Sequence, residues 1–288
     1  VKRAQRVYEE VKNRLEFNNN QIVLLHSRFT KKDREILENK ALSLIPHKEN
    51  GKVVVPEEVG IVISTQVLEA GIDFSAELLL TEVAPADALI QRAGRCARYK
   101  EENGEMIIFP VEDDKGFLPY ERDYIAKTIE WLNSHPNFNI KDFSQACDFV
   151  NILDYRANDY EARDTLIDLY ECVLYADEAP RNIQLRNGKP IYLVVVNPAR
   201  GEGRKKEDKI NDAIAQTNIR ENTISVDIGV GWKLIKDNVV NLRLDFDKDK
   251  KRWVAREINE VVPFSYYLLD INYYDSFKGV TPDAGIFI

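Results

Sequence analysis

Cysteine is scarce in this 288-residue chain, and its three copies form an odd set. Cys96, Cys147 and Cys172 lie far apart in sequence, so neither a disulfide framework nor a zinc spacing follows. A reducing cytoplasm is therefore the expected compartment. Histidine is also sparse: His26, His47 and His135 lack aspartates at metal-ligand spacing. Long apolar runs are missing. The longest, Ile191–Val196, has the length of a buried strand and no membrane span is expected. No signal peptide, internal repeat or low-complexity tract is present. Positive charge is in deficit: the net charge is −8, which argues against a generally basic nucleic-acid coat but leaves room for a local basic groove. Methionine occurs once, as Met106, and the chain begins at Val1, as expected for a piece of a longer protein.

The 288 residues suffice for two domains or one domain with a large appendage, and the hydrophobic share of 44% is ordinary for a globular protein. Residues 1–116 alternate helix and strand. Ala4, Val7, Tyr8, Val11 and Leu15 recur at helical spacing, and Ile22–Leu25 is an all-apolar strand. Thr30 and Asp33 form a capping pair ahead of a helix carrying Ile36, Leu37 and Leu44. Residues 46–58 read as a loop, Val59–Ile63 and Leu78–Val83 as strands, Ala86–Arg98 as a helix and Glu105–Phe109 as a strand. This order predicts an α/β fold with a parallel sheet and right-handed crossovers. Residues 117–180 read as a helical linker. One helix is marked by Ile125, Ile129 and Leu132 and another by Leu166, Leu169, Tyr170, Val173 and Leu174. Residues 181–288 read as a strand-rich α+β domain in which Val239–Phe246 and Arg252–Val262 form a hairpin across DKDKK.

Two stretches carry chemistry. Ser64–Glu77, STQVLEAGIDFSAE, follows a strand at the edge where open parallel sheets bind ligands. Ser64 and Thr65 offer hydroxyls and amides to a phosphate, Gly71 permits a tight backbone, and Asp73 offers an acceptor to a ribose hydroxyl or an arginine. Gln91–Arg98, QRAGRCAR, spaces Arg92, Arg95 and Arg98 at three-residue intervals, which predicts one shared helical face beside Gly94. Arginine is permanently charged, and its planar fork matches phosphate oxygens. What the chain lacks is as telling: no GxxxxGK[ST] and no DExx box ahead of the first stretch, so nothing here cradles the β- and γ-phosphates of a nucleotide.

The pair of stretches resembles motifs V and VI of superfamily 2 helicases. The resemblance implies a RecA-like second domain whose arginines complete an ATP site built mainly on a first RecA-like domain, which would also hold Mg2+. Arg95 and Arg98 then correspond to arginine fingers, and Gln91, Arg92, Gly71 and Asp73 to nucleotide contacts. Ser64 and Thr65, with the motif IV-like Leu24–Phe29 and its His26, Ser27 and Arg28, correspond to nucleic-acid contacts. VKRAQRVYEEVK at the start, LLHSRFTKKDRE, APADALIQRAGRCAR and the aromatic Phe264–Val280 narrow the resemblance to the CRISPR-associated type I helicase–nuclease. That family implies an ATP-dependent translocase on single-stranded DNA. It also implies an HD-type nuclease domain or subunit, recruitment by a guide-RNA effector complex, and no membrane partner. This chain alone would be inactive. The alternatives are the motor half of another superfamily 2 DNA or RNA helicase, or a non-catalytic docking fragment.

Two patterns imitate sites. Asp245, Asp247 and Asp249 resemble a calcium loop, but Lys250 stands where the glycine belongs and Arg256 where the bidentate acid belongs, so a turn is expected. GEGRKK at 201–206 has the wrong spacing for a phosphate loop and reads as a basic surface loop.

Overall fold

A computed structural model describes residues 1–15, 18, 20–68, 73–111, 117, 120–153, 189–203, 205–258 and 260–281. Helix α1 (Lys2–Arg14) turns Tyr8 inward, and β1 (Ile22–Leu25) is buried along its whole length. Helix α2 (Lys31–Leu42) starts at Thr30, whose hydroxyl accepts from the Asp33 amide at 3.2 Å, as the capping pair predicts. Where a loop was expected, β2 (His47–Glu49) and β3 (Lys52–Val54) form a hairpin. The reason is local: Asn50 and Gly51 take φ of 49° and 80°, the left-handed pair that a tight two-residue hairpin needs.

Strand β4 (Ile61–Ser64) follows, then β5 (Leu78–Glu82), α3 (Ala86–Ala93), β6 (Glu105–Phe109), α4 (Arg122–Ser134) and α5 (Phe143–Asn151). The expected helix over Leu166–Leu174 lies outside the described residues. The chain continues with β7 (Pro190–Val196), α6 (Lys206–Ala215), β8 (Thr223–Asp227), α7 (Ile228–Lys236), β9 (Leu242–Asp247), β10 (Arg252–Glu257), β11 (Tyr266–Asp270), β12 (Tyr274–Asp275) and β13 (Gly279–Val280).

These elements divide into two compact units. One comprises Val1–Ile45, Pro56–Gly71 and Asn187–Ile288; the other comprises Pro46–Val55 and Ile72–Arg186. The span 1–116 thus contributes to both, and the boundaries expected near 116 and 180 fall among residues outside the described set. In the first unit β1 and β4 pair in parallel, Ile22 opposite Ile61 and Leu25 opposite Ser64. The same unit holds a five-stranded sheet in the order β10-β9-β11-β7-β8, with β11 parallel to β7. In the second unit β5 and β6 pair in parallel, Leu78 opposite Glu105. The fold is mixed α/β with parallel strands and a strand-rich C-terminal part, as the sequence predicts.

The run Ile191–Val196 explains the five-stranded sheet. Successive side chains on a strand point to opposite faces. Ile191, Leu193 and Val195 enter a core with Leu234, Tyr267 and Leu269, while Val194 and Val196 enter another with Ala213, Ile214 and Leu268. A strand that is apolar on both faces is a strand covered on both. The DKDKK stretch turns β9 into β10: the Asp247 carboxylate accepts from the Asp249 and Lys250 amides, both at 3.0 Å. Leu193 is fully buried, so Leu193→Ala should destabilise by about 2–5 kcal/mol. Urea denaturation checks this, and a cost below about 1 kcal/mol would contradict the assigned core.

Candidate functional site

The arginine stretch does not continue the helix. Helix α3 stops at Ala93, with Gly94 as its cap at φ −64° and ψ 0°. Beyond it the backbone bonds to the strand side instead. The Ala76 amide donates to the Arg95 carbonyl at 2.8 Å, and the Ala97 amide donates to the Ala76 carbonyl at 3.0 Å. Ala97 takes φ of 46° to make that path. The expectation of a helix over Ala86–Arg98 with Arg92, Arg95 and Arg98 on one face is therefore corrected. Backbone pairing with Ala76 outcompetes the last helical turns.

The three arginines separate accordingly. Arg92, still on α3, donates to the Thr81 hydroxyl at 2.8 Å, the Glu82 carbonyl at 3.1 Å and the Tyr120 hydroxyl at 3.0 Å. It clamps its helix to β5. Arg95 and Arg98, on the loop, converge on Asp73. Arg98 Nε lies 2.6 Å from Asp73 Oδ1, and Arg95 Nη1 lies 4.0 Å from the same atom. The Arg95 guanidinium also stands 5.5 Å from the centre of the Phe74 ring, where the ring's quadrupole attracts it. Arg98 and Asp73 keep 38% and 41% of their side-chain surface, and Arg95 keeps 16%. An ion pair this exposed contributes roughly 0–1 kcal/mol, so an arriving anion exchanges for it at small cost.

A part-buried polar net holds the loop. The Arg98 amide donates to the Ser75 hydroxyl at 2.9 Å, and that hydroxyl donates to Glu102 at 2.5 Å. The Tyr99 amide donates to the same carboxylate at 2.9 Å, and the Tyr99 hydroxyl donates to the Asp73 carbonyl at 3.1 Å. Burial and the Asp73 charge push the Tyr99 phenol up. Sequence reasoning missed Ser75, Tyr99 and Glu102. Only Ser75 lies inside a recognisable motif; the others are identified by contact alone. Cys96 is buried, and burial raises its thiol above the ordinary range, so it is no nucleophile at neutral pH.

Asp73, Gly94, Arg98 and Tyr99 line a cleft of about 550 Å³, with Lys48 and Lys141 at its edge. Three cations against one carboxylate make this an anion-attracting mouth. Gln91 is exposed, and Gly71 lies outside the described residues. The donor set fits phosphate oxygens. It does not offer a carboxylate cage for Mg2+: among the described residues no three His, Cys, Asp or Glu side chains converge.

In the other unit the candidates follow the carboxyl ends of β1 and β4. Ser27 is exposed and Arg28 half-buried, while Ser64 and Thr65 are half-buried. The Thr65 amide donates to the Leu25 carbonyl at 3.1 Å, which closes the β1–β4 edge. Burial lowers the Arg28 guanidinium to about 10, leaving it charged at neutral pH. His26 is different. It is fully buried, Nε2 donates to the Lys278 carbonyl at 2.9 Å, and Nδ1 accepts from the Arg28 amide at 3.1 Å. Its ring stacks on Phe29 at 4.4 Å. With both nitrogens occupied by backbone, His26 supports the loop and offers nothing to a strand, which corrects its place among the candidate contacts.

The comparisons with known proteins agree on one family. Residues 1–101 match a family model described as CRISPR-associated nuclease/helicase Cas3, C-terminal. The CRISPR-associated helicase Cas3 of Thermoproteus tenax is 35% identical over 133 residues, 46% of this chain and 20% of that protein. The putative CRISPR-associated nuclease/helicase Cas3 of Methanocaldococcus jannaschii is 29% identical over 62% of this chain and 22% of its own length. The CRISPR-associated endonuclease/helicase Cas3 of Escherichia coli is 35% identical over 44% of this chain and 14% of its own. The chain thus spans about a fifth or less of the length of these relatives. Among solved structures, T. fusca Cas3-AMPPNP superposes with a TM-score of 0.57 at 17% identity, covering 93% of this chain and 35% of that one. A chain of a CRISPR RNA-guided surveillance complex, pre-nicking, gives 0.51 at 15% identity, over 93% and 36%. At such identities the likeness is one of fold.

The buried histidine makes stability depend on pH. Burial holds His26 down to about 4 in the folded chain, against an ordinary 6.5. Between those values the unfolded chain takes up a proton that the folded one refuses, so stability falls as pH drops from 6.5 towards 4. The loss reaches on the order of 3 kcal/mol. His26→Gln cannot titrate and should flatten that limb. Urea midpoints at pH 4.5 and 7 check this, and an unaltered pH difference in the variant would refute it.

Proposed function

We propose, from the match of residues 1–101 to the Cas3 C-terminal family model, that this chain is the distal half of an ATP-dependent single-stranded DNA translocase acting in CRISPR interference. The observation that carries the reading is the half-exposed Arg98–Asp73 pair lining a cationic cleft, with Arg95 4.0 Å from the same carboxylate and more deeply placed. In this reading ATP is held mainly by a first RecA-like domain. Arg95 and Arg98 leave Asp73 for the γ-phosphate oxygens when the two domains close.

Phosphoryl transfer asks for positioning and charge neutralisation more than for covalent chemistry. A guanidinium supplied only on closure meets charge that develops in the transition state and costs no reorganisation at that moment. Asp73 keeps both groups oriented until then, which spares the entropy of searching for the phosphate. Arg92 departs from the role that the resemblance implies: its bonds to Thr81, Glu82 and Tyr120 favour fixing α3, with Gln91 left at the surface. Mg2+, when bound by the first domain, supplies charge neutralisation at the phosphates, and this chain's own residues supply none of its ligands in this reading.

The strand contacts fall to Ser27, Arg28, Ser64 and Thr65. Contacts to the phosphate backbone position a strand without reading its sequence, as a translocase requires. The surrounding partners follow from the family: an HD-type nuclease domain or subunit, and a guide-RNA effector complex that delivers opened DNA.

In the complete gene product, Arg95→Ala should lower DNA-stimulated ATP turnover by about 10³–10⁵-fold, the range of other arginine fingers. Activity within twofold of the parent removes Arg95 from that role. The 288-residue chain by itself is expected to hydrolyse no ATP. A malachite-green assay on rigorously purified chain checks this, and turnover that disappears with Arg95→Ala in the same chain would contradict the split site.

A further inference from the structure

The short hairpin of β12 and β13 is seated on the loop that follows β1. The Val280 amide donates to the Arg28 carbonyl at 3.2 Å. From α1, Gln5 Nε2 donates to the Lys278 carbonyl at 2.7 Å and to that of Val280 at 3.0 Å. The Tyr274 hydroxyl donates to Asp33 at 2.6 Å and accepts from the Thr30 amide at 3.1 Å. Gly279 permits the closest approach. Its φ is +73°, and a Cβ there would lie 2.4 Å from the Arg28 carbonyl oxygen and 2.6 Å from His26 Cε1. On its other side Val280 is buried in the core of the five-stranded sheet. The hairpin is therefore fixed to both the candidate strand-contacting loop and the C-terminal sheet.

The tip of this hairpin is as well defined as its base. Asp275 Oδ1 accepts from the Phe277 amide at 2.7 Å and the Lys278 amide at 3.0 Å, and Lys278 Nζ pairs with Glu9 at 2.6 Å. On that tip Phe277 keeps 55% of its surface, with Lys40 Nζ 5.9 Å from the ring centre. A single exposed apolar side chain is ordinary, so exposure alone argues nothing. Three facts together argue more: the ring stands on a turn whose backbone is locked, a cation sits beside it, and the turn is bonded to the loop bearing exposed Ser27.

We propose that Phe277 is a base-stacking platform for the single strand whose backbone passes over Ser27 and Arg28. The proposal rests on the strand-contact reading of that loop. A phenyl face stacks on any base, which suits a motor that must move over all sequences, and a neighbouring lysine offsets phosphate charge. Rigid attachment matters here, because a platform already held in place adds no ordering cost on binding.

The test is titration of a labelled single-stranded DNA oligonucleotide with the complete gene product, read by fluorescence anisotropy at several salt concentrations. Phe277→Ala should weaken binding by about 5- to 150-fold, the range for loss of one stacked base. The slope of log affinity against log salt should stay the same, because no phosphate contact is lost. Phe277→Trp should bind at least as well as the parent. Parent-like affinity of Phe277→Ala, or a loss that Trp does not restore, overturns the platform. A parent protein that binds no single strand sinks the strand-contact reading itself, and the two failures are thereby distinct.

Discussion

Asp73 gathers two guanidinium groups that the chain would otherwise have to keep apart. Two like charges on one short loop repel, and a carboxylate between them removes that cost while leaving the Arg98 fork half-exposed and Arg95 with 16% of its side-chain surface. The contacts around the loop follow from the same need. Helix α3 ends early so that residues 95–97 can bond to Ala76, the neighbour of Ser75, and Ser75 in turn anchors the Arg98 amide. Tyr99 and Glu102 close the ring from below. What results is a loop that is rigid in its backbone and exchangeable in its side chains. The backbone bonds are numerous and those to Ser75 and Glu102 are part-buried, whereas the ion pair is half-exposed and weak.

That division separates Arg92 from its two companions. All three have the same spacing and the same chemistry in sequence. Arg92 has three internal partners that hold its guanidinium against β5 and Tyr120, so moving it would strip hydrogen bonds from partly buried groups, which is costly. Arg98 has an exposed carboxylate and the Gly94 carbonyl, at 2.9 Å. Only the second kind of environment permits a side chain to change partners.

The legible parts of this chain were those with local causes. The apolar run at Ile191–Val196, the Thr30 cap and the DKDKK turn each carry their own signal, and each appears as the pattern implies. The Asn50–Gly51 hairpin carries its own turn chemistry, but Pro46 and Pro56 on either side give the segment the pattern of a loop. The end of α3 was not legible. Ala93–Arg98 has no proline and reads as good helix, and the bonds to Ala76 that stop it come from a segment about twenty residues away. His26 shows the same limit. Its position beside Ser27 and Arg28 suggested a contact with ligand, and what withdraws it is the Lys278 carbonyl, which lies far along the chain. Motif position identifies the neighbourhood of a site; long-range backbone partners decide which side chains in it are available.

The acidic composition bears on how a polyanion is held. A net charge of −8 gives a field that opposes nucleic acid at long range. At physiological salt that field fades over about 8 Å, so attraction has to come from groups in near contact. For the nucleotide phosphates of the proposed function, the cleft offers Lys48, Arg98 and Lys141 around one carboxylate. The loop after β1 offers Arg28, with Lys40 beside the Phe277 ring. Stacking is the natural complement in such a protein, because it is short-ranged, insensitive to the overall charge and indifferent to base identity. A surface that relied on charge alone would need far more lysine and arginine than this chain carries in excess. In the proposed arrangement, a ring fixed beside a few cations holds a strand without that excess, and it releases the strand without first having to break many ion pairs.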